Sequence, residues 1–211
     1  MELPTTSAGV TRSRALYARR IRIALVAAVL LAGTVLLTTA LGTTSRRKSS
    51  PAAKRGSVAA AGVRFANLSA ARSNRCSLQA SELATMNGRE RLRGACCSAM
   101  DRAAYADQRR GLVAYRPEAV IPQDPYDIPV ALARKLVGYR SIRLTAAQRA
   151  SYDEAIVLAH EHGPCCCHCW RWDAFEGQAD YLITERNFTG AQVAEVWDLE
   201  DGCGGPRHPP A

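Results

Sequence analysis

The chain has 211 residues, of which 47% are hydrophobic, and a formal net charge of +9. Residues 1–75 hold 13 Lys or Arg and one acidic residue, whereas residues 76–211 hold 15 Lys or Arg and 18 acidic residues. Because the basic character belongs to the N-terminal third, the net charge gives no support for a nucleic-acid partner, and we expect none. The length allows one domain with an appendage.

Residues 23–41 form an uncharged, mostly apolar stretch of 19 residues. As a helix this stretch would be roughly 28 Å long, close to the thickness of the bilayer hydrocarbon core. It is longer than the apolar core of a usual cleaved signal peptide, and the basic residues 1–22 precede it. We therefore predict a transmembrane signal anchor at 23–41 and a cytoplasmic N-terminus at 1–22. The protein is then a single-pass protein of the cell membrane, with its C-terminal domain outside the cytoplasm.

The rest of the chain divides by composition. Residues 42–75 are rich in Ser, Ala, Arg and Gly with little hydrophobic periodicity, which predicts a flexible tether. Residues 76–205 contain all eight cysteines and form the predicted Cys-rich domain. Residues 206–211 are expected to be a disordered tail.

The predicted domain is mainly α. We expect one or two helices within Ser77–Met100, a helix over Tyr105–Tyr115, and an extended crossing where Pro117, Pro122, Pro125 and Pro129 follow one another. Pro129 suits the first position of a further helix that ends at Gly138. One short strand is expected around Tyr139–Leu144.

Two later helices begin with a capping box, Thr145 with Gln148 and Thr189 with Gln192. The first is predicted to end at Gly163, with His160 and His162 in its last turn. Between the two lies a predicted helix over 176–186, which Asn187 can end.

The segment from His160 to Cys169, HEHGPCCCHC, holds half of the eight cysteines and three of the four histidines. In an extended backbone Cys165, Cys167 and Cys169 would project to the same side and could converge on one ion. Three thiolates suit a soft ion, either Cu(I) or Zn(II) with an added histidine. Cys76 and Cys203 are further candidates. The full set of predicted ligands is Cys165, Cys167, Cys169, Cys166, His168, His162, His160, Cys96 and Cys97.

Two other uses of these cysteines stay open. An even number of cysteines in an exported domain also fits a disulfide framework, in which Cys96 and Cys97 would find partners within 165–169. Such a scaffold would serve as an envelope module that binds another protein. The spacing from Cys166 to Cys169 matches the C-x-x-C of thiol oxidoreductases, but the usual βαβ context is missing. Phosphate-loop, G-x-S-x-G and H-E-x-x-H motifs are missing too, so a conventional enzyme is not expected.

The run from Pro164 to Cys169 resembles the motif of the PCYCGC-motif proteins, a bacterial family of unknown function. The P-C-x-C-x-C frame is the same, with Cys166 and His168 replacing the family's Tyr and Gly. The resemblance extends over roughly residues 155–203. It implies an exported or membrane-anchored protein and leaves the mechanism open.

Overall fold

The computed structural model describes residues 51–205, with side chains from residue 59 onward. The predicted anchor 23–41, the basic segment 1–22 and the tail 206–211 lie outside these residues. The described part is mainly helical, as predicted. Its helices are α1 (Pro51–Ala70), α2 (Ala80–Leu83), α3 (Arg102–Gly111), α4 (Val130–Gly138), α5 (Ala146–Leu158), α6 (Trp170–Arg186) and α7 (Gly190–Glu200).

Two short strands and two 3₁₀ turns complete the described part. Strands β1 (Arg91–Arg93) and β2 (Asp127–Pro129) pair antiparallel, with Leu92 opposite Ile128. One 3₁₀ turn, Leu112–Tyr115, continues α3. A second, Tyr139–Ser141, follows α4. Within residues 51–205, no helix combines the length and the hydrophobicity that a membrane span requires.

The prediction of a flexible tether over residues 42–75 needs correction, because residues 51–70 of that stretch form helix α1. Alanine is the strongest helix former, and this segment is rich in it. The end of α1 is also held by tertiary contacts. Leu68 is buried, and Arg64 donates from Nε to Asp124 Oδ2 at 2.8 Å and from Nη2 to Asp127 Oδ2 at 3.1 Å. This segment has the composition of a flexible linker, but apolar packing and ion pairs order its C-terminal end.

The local signals placed several helices correctly. Both capping boxes form, at Thr145 with Gln148 and at Thr189 with Gln192. Asn187 ends α6 in the left-handed conformation at φ 56°. Pro129, predicted as the first residue of α4, lies one position before it as the N-cap residue.

Other local predictions were wrong. The strand expected at Tyr139–Leu144 begins instead as a 3₁₀ turn directly after α4. The helices expected within Ser77–Met100 reduce to the four residues of α2 and the strand β1. Helix α5 ends at Leu158, because Ala159 adopts an extended conformation. His160 and His162 therefore lie beyond the helix and not in its last turn.

The core lies between α6 and its neighbours. Helix α4 packs against α6, and α5 packs against α7. Trp170 and Trp197 are among the largest fully buried side chains, and the indole of Trp197 donates to the Phe175 carbonyl at 3.2 Å. The other fully buried apolar residues of these helices include Ala133, Leu136, Ala155, Ala174, Ala179, Leu182, Val193 and Val196.

Gly177 allows α4 and α6 to approach closely. A Cβ at Gly177 would overlap the Leu136 carbonyl oxygen, which is rigid backbone. We expect Gly177→Ala to lower the free energy of unfolding by about 1–3 kcal/mol, since overpacking outweighs the gain in helix propensity. Gly138→Ala is the matched control, because a Cβ there meets nothing within 4 Å. Urea denaturation measures both, and a neutral Gly177→Ala would contradict the close approach.

Glu200 is a buried carboxyl whose pKa burial raises from 4.5 to about 8. Between pH 4.5 and 8 the folded state then holds more protons than the unfolded state, so stability falls as pH rises through this window. We expect Glu200→Gln to remove that part of the fall, which amounts to a few kcal/mol as an order of magnitude. Urea denaturation of the reduced, metal-free protein across this pH window measures it. Parallel pH profiles for the variant and the wild type would contradict the expectation.

Candidate metal centre

The cysteine run, residues 165–169, lies in a turn between α5 and α6. His162 has φ 51° and Gly163 has φ 156°, so the chain reverses just before Pro164. A Cβ at Gly163 would collide with the Trp172 ring, which places this indole directly against the turn. Cys169 is the N-cap residue of α6. The run is therefore bent, whereas the predicted convergence of Cys165, Cys167 and Cys169 required an extended backbone.

Cys96 and Cys97 are fixed by main-chain pairing with the segment after α7. The Cys96 amide donates to the Gly202 carbonyl at 3.0 Å, and the Cys97 amide donates to the Cys203 carbonyl at 3.1 Å. The Ser98 amide donates to the same carbonyl at 2.7 Å. These bonds place Cys203 beside the Cys96–Cys97 pair, although about a hundred residues separate them in sequence.

Cys76 is positioned through Trp170, the first residue of α6. The Trp170 amide donates to the Leu78 carbonyl at 2.9 Å, and its indole donates to Asn74 Oδ1 at 3.0 Å. Cys76 lies between these two anchoring residues. Its thiol donates to the Cys96 carbonyl at 3.3 Å. The segment that carries Cys76 is thus tied directly to the end of the cysteine run.

Four segments therefore bring seven thiols to one place, which we call the cysteine cluster: Cys76, Cys96, Cys97, Cys165, Cys166, Cys167 and Cys203. Sulfur–sulfur distances are 2.8 Å for Cys166–Cys203 and 3.4 Å for Cys76–Cys167, Cys97–Cys166 and Cys165–Cys203. All eight cysteines of the chain are free thiols in the structure.

Within the described residues the cluster contains one set of four thiols and three sets of three. In each set the sulfurs lie within 4.8 Å of one another. The set of four is Cys76, Cys96, Cys97 and Cys167; the sets of three are Cys96, Cys165 and Cys203; Cys97, Cys166 and Cys203; and Cys165, Cys166 and Cys167.

The predicted ligands are only partly brought together. Cys165, Cys166 and Cys167 meet as adjacent residues of the bend, and Cys96 and Cys97 join them. The alternating set with Cys169 does not form, because the bend replaces the extended backbone that the alternation required. Cys169 instead acts on Cys165, since its thiol lowers the pKa of that residue.

The histidines of the segment stand apart from these sets. His168 is exposed and its ring lies 3.9 Å from the Trp172 ring, between centroids. His160 and His162 are exposed, and the His160 imidazole lies 3.4 Å from Glu161. Cys76 and Cys203, which the sequence named only as further candidates, occupy the places that histidine was expected to fill. Counting every cysteine of the domain as a possible ligand would have found them.

The cluster favours one thiolate at its centre. Hydrogen bonds from Cys169, Cys203 and Cys96 lower the pKa of Cys165 well below its ordinary value, despite its burial. Their hydrogen bonds to Cys165 raise the pKa of Cys169 and of Cys203, because those thiols donate to the Cys165 thiolate. Burial raises the pKa of Cys97 and Cys167. Further thiolates therefore need another positive charge to stabilise them.

A buried cation already lies beside this thiolate. The Arg171 side chain is only 1% exposed, and its terminal nitrogens donate to the carbonyls of Glu200 at 2.8 Å and Pro125 at 2.6 Å. Its Nε has no hydrogen-bond partner. Burial would lower the pKa of Arg171, but the negative charge of the nearby cysteines raises it overall. The guanidinium thus supplies a positive potential where thiolates gather.

The donor set is sulfur only, which is the chemistry of a soft metal site. A metal–sulfur bond of about 2.3 Å separates the sulfurs of a tetrahedral site by about 3.8 Å, and those of a trigonal site by about 4 Å. Within each of the four sets the sulfurs lie within 4.8 Å of one another, so small side-chain rotations would satisfy either geometry. The cluster could hold a metal ion.

Comparison with known proteins adds no assignment, since no protein-family model, curated protein or solved structure matches this chain. The resemblance to the PCYCGC-motif proteins over roughly residues 155–203 therefore stays a prediction.

The burial of the thiols predicts their order of reaction. In the reduced, metal-free protein we expect a bulky maleimide to label Cys97 and Cys166 first, because both are exposed. The buried Cys165, Cys169 and Cys203 should react only after denaturation. Peptide mass spectrometry at several reaction times measures this order. Equal rates at all these sites would mean that the cluster is open to solvent.

Proposed function

We propose that the protein binds a soft metal ion, Cu(I) or Zn(II), through the cysteine cluster. The observation that carries this proposal is the set of four thiols from Cys76, Cys96, Cys97 and Cys167, drawn from three segments to within 4.8 Å of one another. Four thiolates in this arrangement form a complete ligand shell for a tetrahedral ion. Packing alone does not need such a convergence, since other small apolar residues fill a core equally well.

Charge also supports metal binding. The bound ion would stabilise thiolates that otherwise keep their protons, and binding would release those protons. The carboxyl of Glu200 lies buried near Arg171, and burial raises its pKa to about 8. A carboxyl that stays protonated at neutral pH does not neutralise the guanidinium. The anionic metal–thiolate group would add to the negative charge that Asp201 and the Cys165 thiolate place near the guanidinium.

The cellular setting belongs to the same proposal. An uncharged segment at 23–41 would anchor the protein in the cell membrane and place the cluster outside the cytoplasm. A bacterial membrane protein of this kind would handle, sense or scavenge copper or zinc at the cell envelope. The likeness to the PCYCGC motif agrees with an exported location.

A disulfide-stabilised envelope module, which binds another protein, is the second candidate. One observation favours it: Cys76–Cys167, Cys97–Cys166 and Cys165–Cys203 are three separate pairs with sulfurs 3.4 Å apart. Thiol–disulfide catalysis by Cys166 and Cys169 has less support. Burial raises the pKa of Cys166, and the hydrogen bond to Cys165 raises that of Cys169, whereas reactive cysteines have lowered pKa values.

Elemental analysis of the purified full-length chain tests the proposal. We expect the protein from cells grown with copper and zinc to retain at least one equivalent of one of these metals. Replacement of Cys96, Cys97 and Cys167 together by serine should abolish this retention. The matched control replaces His160, His162 and His168 by alanine and should keep the metal, since none of them is among the clustered ligands.

Two results would contradict metal binding. One is a wild-type protein without metal, in which alkylation before reduction finds the cluster cysteines blocked as disulfides; this result would favour the second candidate. The other is loss of metal in the histidine variant to the same extent as in the cysteine variant.

A further inference from the structure

The four thiol sets of the cysteine cluster share their members in a regular way. Any two of the sets have one cysteine in common, and no two sets share more than one. Six cysteines each belong to two sets: Cys96, Cys97, Cys165, Cys166, Cys167 and Cys203. Cys76 belongs to the set of four alone.

This connectivity is that of a metal cluster with bridging sulfurs. Four metal ions at the corners of a tetrahedron have six edges, and one thiolate on each edge bridges two ions and gives every ion three sulfurs. The six shared cysteines supply one thiolate for each edge, and the four sets supply the four corners. Cys76 is then an additional thiol at one corner.

The coordination number selects the metal. Zn(II) in structural sites is almost always four-coordinate, and only the set with Cys76 offers four thiols. The other three sets offer three thiols each, and trigonal thiolate coordination is ordinary for Cu(I). Soft thiolates also select Cu(I) over harder ions. Four separate zinc sites are excluded as well, because they would need more thiolates than the cluster contains.

The charge balance agrees with Cu(I). Four Cu(I) ions and six thiolates carry a net charge of −2 in the arrangement that the sets define. The buried guanidinium of Arg171 lies beside three of the bridging cysteines, Cys96, Cys165 and Cys203, and offsets part of this charge. A cluster of small negative charge beside one buried cation is less costly to bury than either alone.

We infer that the protein binds four Cu(I) ions as one cluster, bridged by the thiolates of the six shared cysteines. This inference rests on the proposed soft-metal function and adds the metal, the stoichiometry and the bridging ligands. Cys165 is already a thiolate, so the other five thiols each lose a proton to solvent as four Cu(I) ions enter. Each of the six thiolates then forms two copper–sulfur bonds. No electron is transferred, since copper enters and stays as Cu(I).

Anaerobic titration of the reduced full-length chain with Cu(I), against a chromophoric Cu(I) chelator, measures the stoichiometry. We expect saturation at four copper ions per chain, with the emission that solvent-shielded Cu(I)–thiolate clusters give. Because the ions share ligands, native mass spectrometry at half loading should show mainly the copper-free and four-copper forms.

Two variants separate bridging from non-bridging thiols. Cys166→Ser removes a bridge between two sets, so we expect fewer than four copper ions and at least a several-fold loss of emission. Cys166 is exposed, so this change should leave the fold intact, which circular dichroism checks. Cys76→Ser removes a thiol that belongs to one set only and should still bind four ions.

The results of these experiments separate the formation of a four-copper cluster from soft-metal binding in general. One copper ion per chain, or independent stepwise filling, would overturn the cluster and leave soft-metal binding in place. A Cys76→Ser variant that loses as much copper as Cys166→Ser would also overturn the bridging scheme. A reduced protein that binds neither Cu(I) nor Zn(II) would overturn both.

Discussion

The structure around the cysteine cluster depends on one buried cation. Arg171 is 1% exposed, and its terminal nitrogens donate to main-chain carbonyls on two other segments, at Pro125 and Glu200. A buried guanidinium is costly unless negative charge lies near it. Cys96, Cys165, Cys203 and Asp201 lie near enough to supply that charge, and Cys165 is the first of these thiols to lose its proton. The residue that holds the segments together therefore also makes the cluster favourable to anionic sulfur.

The convergence of the thiols follows from main-chain bonds between distant segments. The amides of Cys96 and Cys97 bind the 202–203 segment, and the amide of Trp170 binds Leu78. Each bond places a cysteine beside one that is remote in sequence. The sulfurs are therefore brought together by the main chain and need no direct attraction to one another. Such a site is preformed, and its thiols could bind a soft ion that replaces their protons.

What the sequence predicted correctly is local in origin. The capping boxes at Thr145 and Thr189 and the left-handed stop at Asn187 depend on side chains within three or four residues, so their signals are complete in the sequence. The concentration of thiols in residues 165–169 could also be predicted, because these cysteines are close together in the sequence. The meeting of Cys167 with Cys76, 91 residues away, and of Cys97 with Cys203 depends on tertiary pairing that no local pattern encodes. Helix α1 was misassigned because the contacts of Arg64 with Asp124 and Asp127, which order its end, are equally long-range.

X-ray absorption at the copper edge of the Cu(I)-loaded protein tests the central claim most directly, since it reports which atoms surround the metal. The convergence of thiols predicts sulfur neighbours only, about three for each copper, as the sets define them. Nitrogen neighbours from His160, His162 or His168 would contradict it, because the metal would then sit on the exposed histidines and outside the cysteine cluster.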